Sequence, residues 1–484
     1  MGENGKNLGL KVGFEIHQQL DSHKLFCECP SRLRDDKPNI IIKRRLYAVA
    51  GEAGKVDVAA AYEESKKRTY IYEGYSDSTC EVEFDESPPR EINQEALKIA
   101  LQISFLLNAK PVSVAQVMRK TVVDGSNTSG FQRTLLLAKG GYVEVNGKKI
   151  GIQTILLEED SARRTAETKD SVTWRLDRLG LPMIEIATDP DVDSADDAKE
   201  VVMKIGEILR ACKVRRGIGT IRQDINVSIA GGDRTELKGV QEPALIAKAI
   251  AWEAKRQQGI IRDGEKVDRT VRNVLPDGSN KFLRPMPSEA RLYPETDPPF
   301  VKISDKLVAE VKRNLPKLRS EVREELIGKG LSEEYAGIIV SEGRADDFKE
   351  LFDVNEKADA NLLAKMLVLY PKDISNREKM PIEEVMEKLS NDIIKEAISL
   401  LASKKISESS VKDILTEVAK GKSLEQAMKA FKPASASDVK KEIEKLIKEK
   451  PGLTLGAYMG LVRQKLPNAP GKDVMEILKK LLGQ

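Results

Sequence analysis

The proline-rich segment MPSEARLYPETDPP, residues 286–299, separates two stretches of the chain that carry different hydrophobic periods. Before it, short runs rich in glycine and β-branched residues alternate apolar and polar positions, as in LKVGFEI (10–16), GYVEV (141–145), KIGIQTILLEED (149–160) and INVSIAG (225–231). Such alternation puts every second side chain on one face and predicts strands, with helical stretches over 93–108 and 241–258 between them. Beyond it the spacing turns helical. Ile393, Ile394, Ala397, Ile398, Leu400 and Leu401 form one apolar stripe, which reads as packing and not as a cofactor face. The linker-like FKPASASD (431–438) then precedes amphipathic helices near 438–450 and 472–483. The class that follows is α+β: a large mixed-sheet domain (1–302), an all-α helical domain (303–406) and a small helical tail (407–484).

Composition removes several chemistries. There are 2 histidines in 484 residues, His17 and His23, so multi-histidine metal sites are out and a serine-histidine-acid triad would have to use one of these two. Four cysteines make no disulfide framework in a chain of this length, which points to the cytoplasm. No apolar run approaches the ~18 residues of a membrane span. Net charge is only +3, but it is unevenly spread: residues 411–484 hold 15 Lys/Arg against 9 Asp/Glu. That tail is either a polyanion contact or a solvated lysine-rich surface.

Four groups of residues carry chemistry. In VGFEIHQQLDSHKLFCECP (12–30), Glu15 and His17 project from the same face of a strand, a pairing that binds a divalent cation or positions a nucleophile. Cys27 and Cys29 supply two thiols of a zinc set that Cys80 and His23 would complete, although reduced, buried thiols fit the spacing as well; Cys212 reads as core. Glu158, Glu159 and Asp160 end one strand and Glu185 sits inside the apolar run LPMIEIATDPD. A carboxylate there must be paired or hold a cation, and clustered strand-end carboxylates are a cradle for Mg²⁺. Ion pairing with Arg163, Arg164 or Arg175 is the competing account, favoured for Asp160 but not for Glu185.

The loop DGSNTSGFQR (124–133) offers Ser126, Asn127, Thr128 and Ser129 as phosphate contacts, and 215–241 alternates apolar residues with Arg222, Asp224, Asn226, Glu236 and Lys238, as a sheet with a polar ligand-facing side would. A phosphate-binding P-loop is absent: Gly421-Lys422-Ser423 has Thr416 where the leading glycine is required.

Together these segments resemble one family. VGFEIHQQLDSHKLFCECPSRLR, RTYIYEGYSDSTCEVEFDESPP (68–89), MRKTVVDGSNTSGFQRTLLLAKGGYVEV (118–145), SVTWRLDRLGLPMIEIATDPDV (171–192), the 215–241 stretch and FLRPMPSEARLYPETDPP (282–299) are similar, in order, to the kinase/transamidase subunits of tRNA-dependent amidotransferases. The archaeal E type, specific for glutamyl-tRNA(Gln), is matched more closely than the bacterial B type. The resemblance implies a catalytic cradle over 1–302 and a YqeY-like, tRNA-binding tail. It also implies two chemical steps, phosphorylation of the glutamyl carboxylate by ATP and displacement of phosphate by ammonia. The ammonia would come from a separate asparaginase-like amidase, the D-type subunit, in a hetero-oligomer with two copies of each chain.

Residue by residue, Glu15 and His17 fall on the family's E-x-H, Glu158 and Glu159 on its paired glutamates, and Glu185 on its I-E-I glutamate. The resemblance implies that His17, Glu159 and Glu185 approach Mg²⁺, with Glu15 and Glu158 beside them and Arg222 and Lys238 on the nucleotide face. Two departures stand out. The C-x-x-C pair that completes a zinc site in bacterial relatives does not follow here, so the resemblance does not carry zinc over. The domain resembling part of aspartyl-tRNA synthetase, expected before the RPMP segment, has no room between Ile261 and Phe282. Other readings remain: a bacterial-type subunit that also accepts aspartyl-tRNA(Asn), a non-catalytic RNA-binding adaptor, or a metal-dependent hydrolase. An adaptor would not need the carboxylates, and a hydrolase would not need the basic tail.

Overall fold

The computed structural model describes residues 8–51, 54–286, 292–355, 358–430, 436–466 and 471–482; residues 287–291 of the proline-rich boundary and 431–435 of the expected linker lie outside them. Residues 1–318 and 319–484 form two compact units.

Among the described residues of the first unit are seventeen strands: β1 (Lys11–Gln19), β2 (Ile40–Arg44), β3 (Thr69–Gly74), β4 (Lys110–Pro111), β5 (Val114–Ala115), β6 (Val117–Thr121), β7 (Phe131–Val145), β8 (Lys148–Glu159), β9 (Arg163–Glu167), β10 (Ser171–Arg175), β11 (Pro182–Thr188), β12 (Ile221–Ser228), β13 (Thr235–Lys238), β14 (Thr270–Val274), β15 (Asn280–Pro285), β16 (Leu292–Pro294) and β17 (Val301–Lys302). One sheet runs β15-β14-β13-β12-β1-β11-β8-β7-β6-β16 with β4 beside β7; a second runs β2-β3-β10-β9, and β5 pairs β17. The large sheet is mixed, because β13 and β14 are parallel while their neighbours are antiparallel. The expected α+β class is what the chain adopts.

Alternation explains how this sheet makes both a core and a site. On β1, Val12, Phe14 and Ile16 are almost completely buried, as are Ile184 and Ile186 of β11 and Ile225 and Val227 of β12. They join one apolar cluster with residues of the helices Gln94–Leu106, Ala195–Ala211 and Pro243–Arg262. Each such side chain contributes about 1.5–3 kcal/mol by leaving water. The odd-numbered residues of β1, Glu15 and His17 among them, therefore turn to the other face.

Register across that face is set locally. Asn146 and Gly147, both with positive φ (51° and 75°), join β7 to β8 in the two-residue turn that favours this dipeptide. They lock Val145 opposite Lys148, and one irregularity near Leu136 later brings Thr134 opposite Glu158.

The second unit is helical, as expected, but its packing borders differ from those read in the sequence. The helix Asp305–Arg313, expected in the helical domain, buries Val311 in the first unit's core, and its Glu310 pairs with Lys98 at 2.6 Å. At the other end, Val411, Ile414, Leu415 and Ala427 share a core with Leu326, Phe348 and Ile398, so the helical core continues past 406. A separate small core then forms from Val439, Ile443, Tyr458, Val462, Val474 and Leu478. The 393–401 stripe is packing: Ile394, Ala397 and Ile398 of the helix Asn391–Ala402 are buried.

Candidate active site

Three adjacent strands build the site. β1 is flanked by β11 and β12, so His17 lies opposite Glu185 on one side and Arg222 on the other, and Glu15 lies opposite Ala187 and Asp224. With Glu158 at the end of β8, Lys120 on β6, Glu236 and Lys238 on β13 and Arg284 on β15, they line a cleft of about 470 Å³.

At its centre His17 Nε2 is 3.2 Å from Glu185 Oε2 and 3.9 Å from Glu158 Oε1. Lys120 Nζ lies 2.8 Å from Glu158 Oε2 and 3.0 Å from Glu185 Oε2. Burial works against the charge on His17, but the hydrogen bond and charge of Glu185, with Glu158, raise its pKa. Burial pushes the Glu158 carboxyl up against the pull of Lys120, whereas Lys120 and His17 overcome burial at Glu185 and hold it well below the usual range. Glu15 is pushed up to about 7, first by burial and then by Glu185 and Glu236.

One oxygen of this group has no donor. Glu158 Oε1 is buried without a hydrogen-bond partner, and it is the oxygen that faces His17. An orphan carboxylate oxygen, a second carboxylate and an imidazole nitrogen within 4.8 Å of one another are a donor set that fits a divalent cation. Oxygens of Glu15, Asp224 and Glu236 also lie within 4.8 Å of one another, with Lys238 paired to Asp224 and, at 2.7 Å, to Glu236, as Lys120 is to Glu158 and Glu185.

One residue expected near the metal lies outside this group. Glu159, expected beside His17 and Glu185, follows Glu158 on an extended strand and so points to the opposite side. There it is buried against Arg133, at 3.5 Å, and Glu158 takes its place in the cluster. Asp160 is ion-paired, as the sequence suggests, though its partners are Arg222 at 2.8 Å and Arg178 at 3.7 Å and not the three arginines considered. Arg222 and Lys238 do line the cleft.

Ser126, Asn127, Thr128 and Ser129 do not. The loop folds onto its neighbours, Ser126 Oγ donating to Asp124 at 2.6 Å, Thr128 Oγ1 to the Glu83 carbonyl at 2.6 Å, Ser129 Oγ to the Phe131 carbonyl at 2.9 Å, and Asn127 Oδ1 accepting from Ser161 at 3.1 Å. Gly125, at φ +89°, is required there, because a Cβ would overlap the Tyr70 ring.

Lys120, Arg284 and Gln132 escape a reading of the sequence. The signal for Lys120 is a lysine inside the strand-like run VMRKTVV, where a solvated edge position is the commoner account.

The thiols also come together. Cys27, Cys29 and Cys80 form a group of potential ligands, and its fourth member is Glu83, not His23. His23 Nδ1 is instead turned to the carbonyls of Lys24 and Cys27. Cys27 Sγ lies 2.9 Å from Glu83 Oε1, and Lys24 Nζ lies 3.1 Å from the same oxygen. Hydrogen bonds from Cys27 and Cys29 lower the Cys80 thiol below its ordinary value, while hydrogen bonds with Cys29 and Cys80 push the Cys27 thiol up.

Known proteins share this arrangement of segments. Residues 10–309 match the GatB/GatE catalytic domain. The chain is 34% identical to the E subunit of glutamyl-tRNA(Gln) amidotransferase from Methanocaldococcus jannaschii, over an alignment of 633 positions covering 99% of each chain. It is 32% identical to the same subunit from Sulfurisphaera tokodaii (98% of this chain, 99% of the relative), and 33% to that from Methanothermobacter thermautotrophicus (92% of each). An alignment of 633 positions against 484 residues leaves at least 149 positions without a counterpart in this chain.

Proposed function

The chain belongs to the GatB/GatE family, as the E-type subunit of a glutamyl-tRNA(Gln) amidotransferase converting glutamyl-tRNA(Gln) to glutaminyl-tRNA(Gln), and from that premise we propose how its cleft takes part. The glutamyl side chain enters the cleft beside ATP. A γ-carboxylate oxygen attacks the terminal phosphorus and ADP leaves; ammonia then attacks the acyl carbon, and phosphate departs with that oxygen. ATP hydrolysis coupled to amide formation needs charge neutralisation more than a covalent nucleophile. A chain with two histidines and a cleft lined by carboxylates, lysines and arginines suits that need.

His17, Glu158 and Glu185 would hold Mg²⁺, and the observation that carries this is the buried, donorless Glu158 Oε1 facing His17. When bound, the ion neutralises phosphate oxygens and orients the terminal phosphate. Asp160 steadies Arg222, so that its guanidinium stands at the cleft wall without rotating freely. Glu15, with its carboxyl raised to about 7, is the group suited to accept the proton that ammonia loses on forming the amide.

Cys27, Cys29, Cys80 and Glu83 would hold a structural zinc ion in a three-thiolate, one-carboxylate set. A separate amidase supplies ammonia in this reading, and the basic C-terminal helices contact the tRNA. No helix among the described residues is long and apolar enough to cross a membrane.

The test is an assay with glutamyl-tRNA(Gln), ATP, Mg²⁺ and ammonium chloride, with no partner chain. Amide formation by the wild-type chain and its loss in Glu158→Gln support the reading; full activity in that variant refutes the ion site.

A further inference from the structure

Lys120 stands where a cation is wanted. Its ammonium contacts Glu158 Oε2 at 2.8 Å and Glu185 Oε2 at 3.0 Å, and Glu185 Oε2 is also the oxygen nearest His17 Nε2. The carboxylates that would ligate a divalent ion are thus already neutralised by the chain itself. Two positive charges held within about 4 Å of each other in a buried site repel strongly. The ion and the ammonium therefore compete for the same carboxylates.

We propose that Lys120 is a tethered counter-ion. It neutralises Glu158 and Glu185 while the divalent ion is absent, leaves them when the ion binds, and then carries its charge to the phosphates of the nucleotide in the same cleft. This rests on the assignment of the ion to His17, Glu158 and Glu185.

Three features support it. A lysine has a flexible four-carbon stem and a compact charge, so its ammonium can swing several ångströms without moving the strand. Lys120 lies on the cleft lining with its side chain 13% exposed, which gives it somewhere to go. Two other cleft cations are committed elsewhere: Lys238 to Asp224 and Glu236, Arg222 to Asp160. Those pairs share no oxygen with the ion site. Displacement from Glu158 and Glu185 is specific to Lys120, and it makes ion binding and nucleotide binding mutually reinforcing.

The experiment titrates Mn²⁺ by electron paramagnetic resonance, without nucleotide, into the wild-type chain, Lys120→Met and His17→Ala. ADP affinity is then measured with and without Mn²⁺. Lys120→Met is expected to bind Mn²⁺ about tenfold more tightly than wild type, and to lose about tenfold of the Mn²⁺-dependent gain in ADP affinity. Equal or weaker Mn²⁺ binding in Lys120→Met overturns the proposal. If His17→Ala binds Mn²⁺ as wild type does, the ion assignment fails and the counter-ion role falls with it. Should Lys120→Met not fold, reductive methylation of the wild-type chain decides: Mn²⁺ should accelerate modification of Lys120 several-fold, and unchanged or slower modification refutes displacement.

Discussion

Glu158 and Glu159 are consecutive in the chain and face opposite sides of the same sheet. Glu158 meets His17 and Lys120 in the cleft, and Glu159 is buried against Arg133. Their substitutions should therefore separate. Glu158→Gln is expected to weaken Mn²⁺ binding by about tenfold or more and to abolish tRNA-dependent ATP hydrolysis, since a ligand oxygen and its charge are lost. Glu159→Gln should keep Mn²⁺ affinity near wild type and lower the melting temperature. Mn²⁺ titration and thermal unfolding of the two variants check this, and loss of Mn²⁺ binding in Glu159→Gln alone would contradict the geometry.

Glu253 ties a helix to the edge of the large sheet. It is fully buried and accepts from Arg256 at 2.7 Å, Gln257 at 2.9 Å and Asn280 at 2.9 Å. Burial alone would raise its pKa; these donors outweigh burial and hold it below the ordinary glutamate value of 4.5. A carboxyl depressed in the folded state adds stability that is fully present above its unfolded value and is lost as pH falls through the folded one. Urea unfolding from about pH 6 down to about pH 2 should show a steeper loss of stability in wild type than in Glu253→Gln. Parallel acid limbs in the two proteins would rule out this linkage.

The thiol cluster predicts a measurable metal. Protein produced in zinc-supplemented medium should carry about one zinc ion per chain, released by a thiol-modifying reagent. Cys29→Ser should abolish the content, and Glu83→Gln should retain the thiols but hold zinc less tightly. Metal analysis finding no zinc in wild type would dismiss the site and leave three reduced cysteines around a buried Lys24–Glu83 pair.

Where the tail is cut matters. A chain ended before Ser407 would strip Val411, Ile414 and Leu415 from the helical core and should be destabilised by several of the ~2–5 kcal/mol losses expected of emptied core positions. Ending it after Ala430 removes only the small core of Val439 to Leu478. That shorter cut should leave the melting temperature of the rest unchanged, weaken tRNA binding and reduce its salt dependence. Unchanged affinity at low and high salt would make the tail's lysines a solvated surface.

Much of the fold is legible in the sequence because it rests on local period. Strand alternation around Glu15 and His17, and the helical stripe at Ile394 and Ile398, each follow from which side chains must leave water. The carboxylates of the site are legible for the same reason: Glu185 inside an apolar strand demands a partner. The helix Asp305–Arg313 falls to the wrong body on sequence alone, because its amphipathic pattern says that one face is buried, but not against what.

By itself the sequence determined the α+β class and the family, and it singled out Glu15, His17, Glu158, Glu159 and Glu185 as candidates for the chemistry. The resemblance put Glu159, not Glu158, beside His17 and Glu185; facing depends on the register that the Asn146-Gly147 turn and the irregularity near Leu136 impose. Tertiary structure alone decided that Lys120 reaches those carboxylates across the sheet, that Glu83 joins the thiols of Cys27 and Cys29, and that Thr128 of the 124–133 loop donates to the Glu83 carbonyl. Each is a meeting of strands or loops far apart in the chain, and no local period encodes which distant side chain a buried charge will find.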